Sequence, residues 1–186
     1  MKFFENWTQT YTGKQFRLMN PTQDSICLDD IAHSLSMQCR FNGHTQRFYS
    51  VAEHCWWASH IVSPENALQA LMHDASEAYI SDIPKPFKLM LGFFVEMIEH
   101  QHLSAIGEKF GFSADLTSEV KAADVEMLLH EREQALIPTE HKWSPYVENF
   151  VPFLAKQQGV DMKLHFWSPE EAKVEFLARF HELTKG

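Results

Sequence analysis

The chain has 186 residues and a mass of 21.6 kDa, with 45% hydrophobic and 22% charged residues, values that exclude a disordered, fibrous or low-complexity protein and fit one folded domain. Sixteen Lys and Arg against 25 Asp and Glu leave a formal charge of −9, which argues against a broad nucleic-acid groove or an anionic-membrane surface; any anionic substrate must be met locally. Cys27, Cys39 and Cys55 form no CxxC pair and leave an odd thiol, and the stretch Met1 to Trp7 lacks the layout of a cleaved signal peptide. The longest apolar run, Leu89 to Val95, is too short to span a bilayer, so a cytoplasmic protein without a membrane segment is expected.

Residues 1–27 carry Gly13, Asn20 and Pro21 between short apolar stretches and predict a hairpin or irregular cap. Helices follow. Asp29 or Asp30 can cap one running to Met37, and the turn-rich Asn42-Gly43-His44-Thr45 ends that region. Ser50 with Glu53 is a capping-box pattern ahead of Val51, Cys55, Ala58 and Val62 at helical spacing. Ser63 and Pro64 open a further helix that must stop near Ser81, because Pro84 and Pro86 bar α geometry in Asp82-Ile83-Pro84-Lys85-Pro86. Phe87 to Phe110 reads as one long helix stopped by Gly111, Ser113 to Ile137 as another, and Ser168-Pro169-Glu170-Glu171 opens a last one towards Leu183. The expected architecture is a single all-α domain of six or more helices, with a cap at 1–27, a core at 28–137 and C-terminal helices at 138–186.

Within this pattern, polar groups occupy places where apolar ones belong. His54 lies three residues after Val51 and four before Ala58, on the inward stripe of its helix. His73 and Asp74 follow Leu71 in a helix made mainly of Ala and Leu, with Glu77 one turn on, and Asp124 falls midway between Val120 and Leu128. An unpaired carboxylate turned into a core costs several kcal/mol, so each needs an Arg partner or a cation. Lys121, one turn before Asp124, points off its direction, and no Arg lies near His73 or Asp74 in sequence. One divalent ion would satisfy both imidazoles and both carboxylates; the donor set suits Mn, Fe, Co, Ni or Zn, Mg less and Ca poorly. Each histidine taken singly is more often a hydrogen-bonded core residue; the coincidence on three helices, with Glu77 and Asp82 beside the pair, shifts the weight to a site.

The order His54, His73-Asp74, Asp124 resembles the H…HD…D signature of the HD-domain metal-dependent phosphohydrolases. The stretches Tyr49-Ser50-Val51-Ala52-Glu53-His54 and His73-Asp74-Ala75-Ser76-Glu77-Ala78-Tyr79-Ile80-Ser81-Asp82-Ile83-Pro84-Lys85-Pro86-Phe87-Lys88 resemble segments of the 5′-deoxyribonucleotidase branch. Likeness to the superfamily extends over residues 28 to 137, and Arg40-Phe41 is similar to an Arg-aromatic pair used there for the phosphate, with Phe41 in place of Trp. The resemblance implies that His54, His73, Asp74 and Asp124 hold one divalent metal, that Glu77 orients or deprotonates the attacking water, and that Asp82 and the loop through Lys85 contact the sugar and phosphate of a nucleotide.

On this reading the chain is a phosphomonoesterase acting on nucleoside 5′-monophosphates. The alternatives are a phosphodiesterase or triphosphate hydrolase of the same superfamily, and a metal-stabilised regulatory module without turnover. Residue by residue, blander readings stand beside the functional ones: Arg40 as a surface ion pair, Asp82 as a turn residue, Lys85 and Lys88 as a solvated face, Glu53 as a cap. Trp56 and Trp57 are expected to pack against neighbouring helices or a dimer partner, His44 to sit in a turn, and His100, His102, His130 and His141 to lie at the surface. No nucleic-acid polymer is expected as partner. The apolar region around Phe93 and Phe94 is expected to bury against a second subunit in a homodimer.

Overall fold

The computed structural model describes residues 6–185, so the first five residues of the expected cap, most of the Met1–Trp7 stretch, and Gly186 lie outside the description. The described chain is mostly helical, with one short hairpin, as the periodicity predicts. Strands β1 (Trp7–Gln9) and β2 (Gln15–Arg17) pair antiparallel with Trp7 opposite Arg17, around a turn whose Gly13 takes φ +83°. The hairpin is tied down by Asp30, whose carboxylate accepts bonds from the Thr12 backbone N–H at 2.6 Å and hydroxyl at 2.9 Å. Asp30 therefore does not cap its own helix, α1 (Leu28–Met37), as expected: it sits inside the first turn, and Cys27 at the cap position makes no side-chain bond.

A 3₁₀ turn at Arg40–Gly43 leads to α2 (Val51–His60), where the Ser50 hydroxyl accepts from the Glu53 N–H. The Glu53 carboxylate does not return to the cap. It is fully buried and collects the backbone N–H groups of His165, Phe166 and Trp167 at 2.7 to 3.0 Å, stitching the distant 165–167 turn to α2. The helix expected from Ser63 to Ser81 is broken into a 3₁₀ turn, α3 (Ala67–Met72) and α4 (Glu77–Ile80). Between the pieces the backbone N–H groups of Ala75, Glu77, Ala78 and Tyr79 each bond a carbonyl three residues back, the tighter 3₁₀ winding, at the point where the polar residues cluster.

The single helix expected at 87–110 is two, α5 (Lys85–Leu91) and α6 (Phe93–Phe110), because Gly92 adopts φ +71° and turns the chain between them. Helix α7 (Ser118–Gln134) starts later than Ser113, with the Thr117 hydroxyl as its cap. Short helices α8 (Pro145–Glu148) and α9 (Leu154–Gln158) precede α10 (Pro169–Thr184), which opens with the reciprocal Ser168–Glu171 capping box read from sequence.

Helix α10 crosses α1, α2 and α3, and α7 packs on α2 and α3. Two apolar clusters result. One joins Phe16, Ile31, Leu35, Cys55, Leu71, Met72, Ile106 and Phe176; the other joins Tyr49, Trp57, Ile61, Ala70, Val120, Ala123, Met127 and Leu154. Helices α2 and α3 supply residues to both, so they are buried on two sides, and His54, just before Cys55, and His73 and Asp74, just after Met72, lie at the seam. Among the described residues no helix is long and apolar enough to cross a membrane.

Candidate metal centre

Three elements converge at that seam. His54 Nε2 from α2 lies 3.2 Å from His73 Nε2 at the end of α3, 3.3 Å from Asp124 Oδ1 of α7 and 3.6 Å from Asp74 Oδ2. His73 Nε2 lies 3.2 Å from Asp74 Oδ2 and 3.9 Å from Asp124 Oδ1. Donor atoms held at about 2.0–2.2 Å around one metal ion are spaced about 3 to 3.5 Å apart. His54, His73 and Asp124 form one group whose ligand atoms lie within 4.8 Å of one another, and Asp74 Oδ2 approaches the same two Nε2 atoms, sharing a second such group with His73 and Cys55. The Asp124 side chain is 44% exposed, so the centre is open to solvent on the α7 side.

The ring nitrogens turned away from the centre fix how the others face it. His54 Nδ1 lies 2.6 Å from the Glu131 carboxylate and His73 Nδ1 lies 2.7 Å from the Ala70 carbonyl, both acceptors, so each Nδ1 carries the proton as donor. Both Nε2 atoms of the neutral rings then present lone pairs to each other and to two carboxylate oxygens. Four acceptors facing one point without a donor among them require a cation or a proton there. Burial opposes charging of either imidazole, and for His54 so does Arg40; Glu131 and Asp124 at His54, and Asp74 at His73, outweigh this and raise both pKa values. The residues present therefore fit a divalent ion.

Glu131 was not anticipated from the sequence, although it lies seven residues after Asp124 on the same face of α7. It is fully buried, and beyond His54 it accepts bonds from Arg40 Nε at 3.2 Å and Nη2 at 3.0 Å. Arg40 is thus no surface ion pair: burial disfavours its charge, but Glu131 and then Asp82 and Asp74 hold the guanidinium protonated. Its Nη1 points to the centre, 3.8 Å from Asp74 Oδ2, and its guanidinium carbon sits 5.5 Å from the Phe41 ring. Phe41 and Asn42 both hold left-handed dihedrals, φ +55° and +51°, a strain of roughly 1–3 kcal/mol each that the surroundings sustain to set this loop. The Arg40 N–H to Tyr49 carbonyl bond clamps the loop against the start of α2.

Glu77 is buried, with Oε1 3.3 Å from Lys88 Nζ and Oε2 without a hydrogen-bond partner. Burial first, then the charges of Asp74 and Asp82, raise its carboxyl well above the usual range, with Lys88 and Arg40 acting the other way. Lys88, read as a solvated residue, instead bridges Glu77 and Glu99 of α6, the latter at 2.8 Å. Lys85 is exposed on the first turn of α5, so α5 turns Lys88 inward instead. Asp82 is half-buried after Ser81, which takes φ +74°, and burial followed by Asp74 raises its carboxyl against the pull of Arg40. Gln38, another residue the sequence did not flag, accepts the Asp82 N–H at 2.9 Å and donates to the Glu77 carbonyl at 3.0 Å, fixing both ends of α4 from α1.

Cys55 Sγ also lies near His73 and Asp74, within 4.8 Å, and burial pushes its thiol up to about 11. His44 is exposed in its turn, and Trp56 and Trp57 pack inside the chain against Trp167 and His165. His102 corrects the surface expectation: it is fully buried, with Nε2 donating to the Leu18 carbonyl at 2.6 Å and the ring edge-on to Phe16. His130 is half-buried, and His100 and His141 are exposed as expected.

Fold and site together define a mostly helical protein whose histidine and aspartate residues form a centre able to hold a metal ion. The chain belongs to the family of the uncharacterized protein YfdR of Escherichia coli (strain K12), to which it is 37% identical over 180 residues covering 97% of each chain. It is also similar to the uncharacterized protein RCAP_rcc00048 of Rhodobacter capsulatus, at 30% identity over 97% of this chain and 96% of that one. No protein-family model matches the chain.

Proposed function

We propose that this protein is a divalent-metal-dependent phosphohydrolase of the HD-domain type that hydrolyses nucleoside 5′-monophosphates, deoxynucleotides foremost, to nucleoside and phosphate. The observation that carries the reading is that the two imidazole Nε2 atoms lie 3.2 Å apart and each within 3.9 Å of an oxygen of Asp74 and of Asp124, with both Nδ1 protons committed elsewhere. His54, His73, Asp74 and Asp124 hold the ion, which when bound supplies a Lewis acid for the phosphate and a lowered pKa for its water. Beside the ligands, Glu77 and Asp82 are further carboxyl groups outside the donor set, which a closed, purely structural metal site does not need.

Glu77 Oε2, buried and unpartnered, takes a proton from the water as its oxygen bonds phosphorus; the phosphorus–O5′ bond breaks with its electron pair passing to O5′, and Glu77 returns the proton there to release the nucleoside. Arg40 Nη1 supports the phosphate as a fixed positive charge; its other two nitrogens are committed to Glu131, so it does not clamp the phosphate bidentately. Lys88 carries a second positive charge, and Asp82, held by Gln38, contacts the sugar.

The test is phosphate release by chelated protein reloaded with Mn, Co, Zn or Mg. The substrates are deoxy- and ribonucleoside 5′-monophosphates, 3′-monophosphates, triphosphates and a cyclic nucleotide, with Asp74→Ala and Glu77→Ala alongside. Metal-dependent release from 5′-monophosphates that fails in both variants is the expected outcome. Release from a triphosphate or cyclic nucleotide alone moves the assignment within the superfamily. No release from any substrate by protein that still binds metal stoichiometrically overturns the enzyme and leaves a metal-stabilised module.

A further inference from the structure

Helix α5 buries none of its residues fully, and α6 buries fully only His102, Leu103, Ile106 and Gly107, all in its second half. The hairpin of α5 and the start of α6 is held inward by Lys88, while its outer side shows Phe87, Leu89 and Met90 at 50, 70 and 82% exposure and Phe93, Phe94 and Met97 at 77, 56 and 39%. At about 200 Å² per large apolar residue these six expose roughly 750 Å², above the few hundred Å² typical of monomers and close to what one partner contributes to a standard stable interface. A seven-residue helix with so little buried does not hold its shape on propensity alone.

We propose that this face binds a second copy of the chain. A molecule carrying a formal charge of −9 repels its own copies through most of its surface, and this largely apolar face is where two copies meet at least cost. Its exposed charged neighbours, Lys85 and Glu96, are of opposite sign, so the face complements itself in charge as a two-fold interface must. Because α5 also delivers Lys88 to Glu77, covering the outer side fixes the inner one. This pairing does not depend on the proposed chemistry.

Sedimentation velocity on the full chain from about 1 to 100 μM tests it, since interfaces of this size give micromolar or tighter association. The expected species has twice the 21.6 kDa mass. Met90→Glu with Phe93→Glu is expected to weaken association by more than about 100-fold, since it buries two unpaired carboxylates, with unchanged helical circular dichroism. Val174→Glu, an exposed apolar residue on α10, leaves the dimer intact. A monomer at every concentration, a dimer that survives the double substitution, or one that Val174→Glu dissociates overturns the proposal. A monomer that instead partitions onto phosphatidylcholine vesicles assigns the face to a lipid surface and overturns it equally.

Discussion

Around the candidate metal centre, polar groups are buried and nearly all are partnered; on the α5–α6 hairpin, apolar groups are largely exposed. His54 and Glu131 have no exposed surface and Arg40 only 7%, yet Glu131 binds both of the others. Met90 and Phe93 stand 82 and 77% exposed. The difference teaches that burial in this fold follows how many elements converge on a point, not residue type. At the seam, α2, α3 and α7 pack together and leave only Asp124, at 44%, and Asp74, at 20%, with appreciable side-chain exposure among the four, so each buried polar atom has to find a protein partner or a cation. The hairpin leaves the body after Pro84, and no second layer of the described chain covers its outer side.

The sharpest way to break this contrast is Glu131→Ala, which strands a buried guanidinium and a buried imidazole. A loss of about 3–5 kcal/mol in urea unfolding is expected, with weaker metal binding by calorimetry because His54 loses the partner that fixes its tautomer. A loss under about 1 kcal/mol would mean that solvent reaches Arg40. Saturating divalent metal at about 100 times its dissociation constant is expected to stabilise the protein by about 2.7 kcal/mol, and Asp124→Asn to remove most of that gain in thermal melts. Glu53→Gln weakens the three charge-assisted bonds to the 165–167 turn, and a destabilisation of about 1.5–3 kcal/mol is expected by urea titration.

A smaller effect belongs to His102, whose pKa is lowered by burial against its bond to the Leu18 carbonyl. The unfolded chain then binds the proton more readily than the folded one. Stability contributed by the neutral ring is full above the unfolded value of about 6.5 and is lost as pH falls from there through the depressed folded value. His102→Phe should flatten the stability profile below about pH 6.5 by no more than about 1 kcal/mol, measured by urea unfolding at a series of pH values. The least effect is expected at the hairpin surface: Leu89→Ser changes the unfolding free energy by no more than about 0.5 kcal/mol, because that side chain is 70% exposed.

Helical content, the caps at Ser50 and Ser168 and the inward direction of His54, His73, Asp74 and Asp124 were legible in the sequence. Each depends on local spacing or on a hydrogen bond that closes within one turn. The breaks at 73–76 and at Gly92 were not. A 3₁₀ winding and an α winding share nearly the same side-chain pattern over four residues, and a glycine permits a turn without requiring one.

What only the tertiary structure decided is which distant groups meet. Glu131 joins Arg40 across 91 positions, Glu53 crosses 112 to reach His165, Gln38 reaches Asp82, and Lys88 turns inward while Lys85 does not. By itself the sequence determined that polar side chains would enter the core; the packing of α2, α3 and α7 determined their partners. Spacing along one helix sets the direction of a side chain, but a contact also requires a second element at the right distance, and that distance is a property of the assembled core.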